Sequence, residues 1–212
     1  MLSLIKKDLR LIFSKQSMFF ILFFIPFMLL LIDSDSAKDY VYMSIIITYS
    51  YMVTIMTFSY DVTYKTHFLV QSLPVSKNEI VISKYILMII NFFISVIYAG
   101  FYIWILNRLN LTNISSFNID KLKIGIPVAM ISLSIAIPIF FRLPPRIANV
   151  INILIYIFTL NLFGINVSDL EEILSNKVFT FFNGFGFFLV ALGIMTISLV
   201  VSITLYSTRD FK

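Results

Sequence analysis

Tyr85-Ile-Leu-Met-Ile-Ile-Asn-Phe-Phe-Ile-Ser-Val-Ile-Tyr-Ala-Gly-Phe-Tyr-Ile-Trp-Ile-Leu-Asn107 runs without a single charged side chain. About 20 such residues in helical form cover the ~30 Å hydrocarbon core of a bilayer. Working outward, the chain holds five more stretches of this kind: Ser17–Ile32, Tyr40–Tyr60, Ile124–Phe141, Ile147–Val167 and Val178–Tyr206. The first is short and the last is long, but six crossings use most of the 212 residues. In lipid every backbone polar group must pair internally, and runs this long without alternation do so only as helices. Barrel strands would alternate over about 10 residues. The reading is an all-α polytopic membrane protein.

Composition agrees, with hydrophobic residues at 59% and charged ones at 13%. No cysteine is present, so neither disulfides nor thiol chemistry enter the argument. A charged segment precedes the first apolar stretch and no small-residue cleavage site follows it, so the N-terminus is expected to be mature and not a signal peptide.

Lysine and arginine set the orientation. With the N-terminus inside, the inner segments carry Lys6, Lys7, Arg10, Lys15, Lys65, Lys77, Lys84, Arg142, Arg146, Arg209 and Lys212. The outer loops carry only Lys38, Arg108, Lys121, Lys123 and Lys177. Eleven against five is the direction of the positive-inside rule. The acids lean outward, and six spans place both termini in the cytoplasm. The overall charge of +5 is therefore a topology signal, and no nucleic-acid partner is read from it.

Residues 1–16 have helical spacing of Leu2, Ile5, Leu9, Ile12 and Phe13 on one face, with Ser3, Lys7, Arg10 and Ser14 opposite. An interfacial helix is expected, with Lys6, Lys7 and Arg10 toward anionic headgroups. It is either a plain anchor or a brace for a cytoplasmic partner. The longest inner connection is Asp61–Lys84. Asp61 is a candidate cap for a short helix, which must stop at Leu73 because Pro74 follows. Ser76-Lys77-Asn78-Glu79 then has the form of a capping box before an apolar run, so the third span should start near Lys77. Helix, proline break and capped helix make a stiff knuckle, or simply a well-made connection. Arg142-Leu-Pro-Pro-Arg146 is a tight basic turn. Ser168-Asp-Leu-Glu171 repeats the capping pattern, and Asp169–Phe182 is expected to be a short extracellular helix that dips back before a last span near 183–206.

The chemical inventory excludes several functions. An ionisable residue deep in a membrane costs at least about 2.5–3.5 kcal/mol and marks ion or proton paths; the six apolar runs hold no Asp, Glu, Lys, Arg or His. This argues against an ion-coupled carrier or proton channel. The single histidine, His67, lies in the knuckle, so no H-E-x-x-H zinc site exists. No P-loop and no G-x-S-x-G elbow occur. No cofactor is expected, and the chain is not expected to be an enzyme on its own. Polar residues within the spans, with Asn91, Asn152 and Asn161 foremost, are either interhelical hydrogen bonds or part of a mildly polar translocation surface. Pro26, Pro127 and Pro138 can bend their helices.

Leu73-Pro-Val-Ser-Lys-Asn-Glu-Ile-Val-Ile-Ser-Lys-Tyr85 resembles the segment after the second span of ABC-2 type permeases, the membrane subunits of bacterial ABC exporters. The "KKDLRL" start, the six spans and the "LY-x-x-RDF" end are also similar to short members of that family, over essentially the whole chain. The resemblance implies a single transmembrane domain over 1–212, with spans at about 17–32, 40–60, 77–107, 124–141, 147–167 and 183–206. It implies a coupling helix at Asp61–Gln71 that docks into a separate cytoplasmic ABC ATPase, which binds the ATP and Mg. The coupling interface would comprise Asp61, Tyr64, Lys65, His67, Phe68, Leu73, Pro74, Lys77 and Glu79. A second permease copy, identical or paralogous, would complete a dimer in the lipid bilayer. Short members similar to phenol-soluble-modulin-type exporters suggest an amphipathic peptide or other apolar cargo. The Ile, Lys, Asn, Phe and Tyr bias suggests a Gram-positive cell membrane. The rival reading is a membrane-embedded immunity or sensor protein that works without an ATPase and needs no stiff knuckle.

Overall fold

The computed structural model describes residues 2–14, 35–63, 75–109, 119–164 and 185–208. Among these all regular structure is helical: α1 (Leu2–Ser14), α2 (Asp35–Thr63), α3 (Lys77–Arg108), α4 (Ile119–Arg142), α5 (Pro145–Gly164) and α6 (Phe185–Ser207). The expected first span at 17–32, residues 64–74 of the knuckle and the dipping helix at 169–182 lie outside the described residues. Four helices are long and apolar enough to cross a membrane, and α5 contains a shorter apolar run, Arg146–Asn161. The chain is an all-α polytopic membrane protein.

Local sequence explains the helix ends. Ser76 has extended backbone and its hydroxyl accepts from the Glu79 amide, while the Glu79 carboxylate accepts from the Ser76 amide at 3.0 Å. This is the reciprocal box expected from S-x-x-E, and α3 starts at Lys77 as read. At ~1.5 Å per residue its 32 residues exceed the ~30 Å hydrocarbon thickness, so α3 must project beyond it. The turn after α4 occupies only Leu143 and Pro144. Pro145 is the first residue of α5, the position where a missing amide costs nothing.

Four helices close a ring, each touching the next: α2 on α3, α3 on α6, α6 on α4, and α4 back on α2. The ring interior is filled by Met43, Ile47 and Phe58 of α2, Met88 and Phe92 of α3, Leu133 and Ile137 of α4 and Met195 of α6. Helix α5 packs outside against α4 and α2, and α1 packs against α3 and α2. Gly125 lets α4 approach α2 closely, since a Cβ there would lie 2.9 Å from Met43 Cγ. Large exposed apolar side chains line the outer faces, among them Phe93 and Phe101 of α3, Leu154 and Phe158 of α5 and Ile197 of α6. In lipid such faces carry no penalty.

The least apolar of the candidate spans, α2, is also the most buried. Some of its hydroxyls pair sideways, while Ser50 and Thr57 bond carbonyls of their own helix. Tyr51 Oη donates to the Asn152 backbone carbonyl at 2.9 Å and sits 3.1 Å from Asn152 Oδ1. Tyr156 Oη donates to Thr48 Oγ1 at 3.0 Å, and Asn91 Nδ2 donates to Thr54 Oγ1 at 3.1 Å. No hydrophobic driving force acts between helices in lipid, so such bonds and close packing fix their neighbours.

Proline in α4 has a specific consequence. Pro138 lacks an amide proton and leaves the Ser134 carbonyl without its usual i+4 donor. The Ser198 hydroxyl of α6 donates to that carbonyl. Having spent its one proton there, Ser198 Oγ must accept from Tyr85 Oη at 2.6 Å, and Tyr85 Oη is 2.9 Å from Ser202 Oγ. A short relay of hydroxyls thus joins α3, α6 and α4.

Candidate functional site

The sequence reading singled out the end of the bundle where α2 finishes and α3 begins. Asp61 was expected to cap a separate short helix. Instead α2 continues through Asp61 to Thr63, and Asp61 sits in its last turn. Its carboxylate has stronger partners than a helix terminus would offer. Lys7 Nζ of α1 lies 2.8 Å from Asp61 Oδ1, and Lys84 Nζ of α3 lies 2.6 Å from Asp61 Oδ2. The same Lys84 ammonium is 2.8 Å from Asp8 Oδ2 of α1. Lys7 Nζ is 3.2 Å from Asp8 Oδ1, an ion pair without hydrogen-bond geometry. Two cations and two anions alternate around a ring that joins three helices.

Burial makes this ring unusual. Asp8 is 1% exposed and Lys84 5%, whereas Lys7 and Asp61 are half-buried. Beneath them lies an aromatic layer. Phe58 stacks on Phe140 at 5.0 Å and meets Phe141 edge-on, and Phe141 meets Tyr206 edge-on. Lys84 Nζ stands 5.0 Å from the Phe58 ring centroid, in range of a cation–π contact.

Helix α1 also packs into the bundle, which the amphipathic pattern alone did not indicate. Leu4, Ile5 and Asp8 are buried together, and Ile5 belongs to one apolar cluster with Tyr49, Val53 and Leu87. Lys6 and Arg10 are exposed as expected, but Lys7 turns into the ion ring. The missed signals were an acid at position 8 between the apolar positions 5 and 9, and a lysine immediately before a charge-free run. Asp8 and Lys84 stand 76 residues apart and Lys84 and Asp61 23, beyond any local pattern.

Of the other expected interface residues, Tyr64, Lys65, His67, Phe68, Leu73 and Pro74 lie outside the described residues. Glu79 completes the Ser76 cap. Lys77 Nζ donates to the Ser207 carbonyl at 3.0 Å and so satisfies one of the free carbonyls at the end of α6. Within the described part of Leu73–Tyr85, Lys77, Lys84 and Tyr85 each tie α3 to another helix.

The three asparagines do not meet on one surface. Asn91 is buried between α3 and α2, and Asn152 between α5 and α2. Asn161 is exposed on α5 and, among the described residues, bonds the Ile157 carbonyl of its own helix at 2.8 Å. A separate groove of about 470 Å³ lies among Val128, Ile131, Ile135, Leu154, Phe158 and Phe187. Its hydroxyls, Ser132 and Thr159, are turned back onto their own helices, so the wall presented is apolar. Among the described residues no cluster of histidine, aspartate or glutamate could hold a metal ion.

No curated protein and no solved structure matches the chain. The family model of the ABC-2 family transporter protein matches residues 3–207, nearly the whole length. The helical membrane bundle, the capped start of α3 and this match lead to one assignment: the chain belongs to the ABC-2 transporter family, the membrane permeases of ABC transporters.

Proposed function

We propose that this permease is the transport subunit of an ATP-driven exporter. It moves an amphipathic or apolar cargo, peptide by preference, out of the cell, and a separate cytoplasmic subunit hydrolyses the ATP. It is itself non-catalytic and pairs with a second permease copy. The observation that carries this reading is the stiffness on both sides of the 64–74 connection. On one side α2 stays helical to Thr63, and on the other α3 starts abruptly at a reciprocal cap. A push delivered to a connection between two rigid ends is passed to both spans, whereas flexible ends would absorb it. An immunity or sensor protein would need no such construction. Peptide cargo rests on likeness to the short peptide exporters of the family, and the apolar exterior and groove are compatible with it.

On this proposal Tyr64, Lys65, His67, Phe68, Leu73 and Pro74 face the ATPase, and Lys77 and Glu79 hold the frame behind them. The chain has no cysteine, so single cysteines at Tyr64, Lys65 and Phe68 report contact cleanly. Each should cross-link to a co-expressed ATPase with a short bifunctional reagent, while Ser207→Cys should do so poorly. If all three fail in a complex shown to be assembled, the coupling assignment is wrong.

A further inference from the structure

We infer that Lys7, Asp8, Asp61 and Lys84 form a charge-matched clasp that holds α1 as one rigid body with the adjoining ends of α2 and α3, with Lys84 as its positioning residue. The alternative is that α1 is held by its apolar face alone. An apolar face does not choose between protein and lipid, because acyl chains satisfy it equally well. A helix held only in that way would be free to leave the bundle for the headgroup layer. Asp8 removes this freedom. It is 1% exposed, lies beside Leu4 and Ile5 on the buried face, and has its Oδ2 on the Lys84 ammonium at 2.8 Å. If α1 moved into lipid, Asp8 would keep its apolar neighbours but lose its cation.

Lys84 is equally bound to the arrangement. Its ammonium is buried over the Phe58 ring and is shared between Asp8 of α1 and Asp61 of α2. Lys7 closes the ring from the exposed side with 2.8 Å and 3.2 Å contacts to the two carboxylates. Charge balance makes the burial tolerable. Removing either buried partner strands an opposite charge, and removing a matched pair does not. The clasp joins α1 to the last turn of α2 and the early turns of α3. The inference itself does not depend on the exporter reading.

The test reads the position of α1 without reading transport. Ile5→Cys places one thiol on the buried face of α1, and its rate of maleimide labelling is followed in native membranes. Lys84→Met keeps the apolar stem and removes the charge; labelling should then be at least about tenfold faster. Adding Asp8→Asn removes the matching anion and should bring the rate back to within about threefold of the parent. A role limited to packing of the lysine stem would not be relieved by changing Asp8. Equal labelling in Lys84→Met and parent would overturn the clasp, as would a double variant labelling as fast as Lys84→Met. Should Lys84→Met fail to accumulate, recovery of membrane levels in the double variant supports charge matching, and failure of both refutes it.

Discussion

At the scale of single residues, some polar side chains of this bundle serve backbone groups that a helix cannot satisfy by itself. The Ser134 carbonyl, freed by Pro138, is the sharpest instance because its replacement donor comes from another helix. Ser198→Ala should cost about 1–3 kcal/mol, the range for stranding a buried acceptor. In a Pro138→Ala background the restored amide can bond Ser134, so the same change should cost about 1 kcal/mol less. Denaturation midpoints of the four proteins in detergent give this coupling directly, and strict additivity would show that the proline plays no part. The asparagines offer a second contrast. Tyr51→Phe removes the donor to Asn152 and should cost about 0.6 kcal/mol, up to about 1.7 kcal/mol. Asn161→Leu touches an exposed side chain and should fall within about 0.5 kcal/mol of the parent. Equal destabilisation by both would contradict the buried α2–α5 contact.

At the scale of elements, the start of α3 is the feature most directly written in the sequence. The cap needs an acceptor at Ser76 and a carboxylate or amide at position 79, so Glu79→Gln should preserve it. Ser76→Ala should cost about 1 kcal/mol and fray the first turn. Hydrogen exchange resolves the difference: amides 77–80 should exchange several-fold faster in Ser76→Ala and at the parental rate in Glu79→Gln. Unchanged exchange in Ser76→Ala would mean that Lys77 on the Ser207 carbonyl, not the cap, fixes where α3 begins. Helix α1 shows the opposite case. Its 3.6-residue periodicity announced an amphipathic helix, but periodicity could not say whether protein or lipid covers the apolar face.

For the whole molecule, the lysine and arginine distribution predicts the same side for both termini. Ser36→Cys and Ser175→Cys should react with an impermeant thiol reagent from outside intact cells, whereas Ser14→Cys and Ser207→Cys should react only after permeabilisation. Reaction of Ser207→Cys but not Ser14→Cys from outside would require an odd number of crossings, reaction of both would invert the topology, and either would remove the six-span reading. The ring of α2, α3, α6 and α4 gives the bundle its internal order. Neither charge bias nor hydropathy contains that order, since both are properties of one segment at a time.

The sequence by itself determined that the chain crosses a membrane as helices, where α3 begins, that a proline turn parts α4 from α5, and which family the Leu73–Tyr85 segment resembles. These follow from local rules: an apolar run must satisfy its own backbone in lipid, a cap acts over three residues, and proline acts on its immediate neighbours. Tertiary structure alone decided that Asp61 ends one helix and binds Lys7 and Lys84, that Asp8 is buried, and that Tyr51 meets Asn152. Each of these depends on how helices distant in sequence are rotated against one another. Lipid solvates every apolar face alike, so hydrophobicity leaves that rotation open, and the polar partners that fix it exist only once the helices have met.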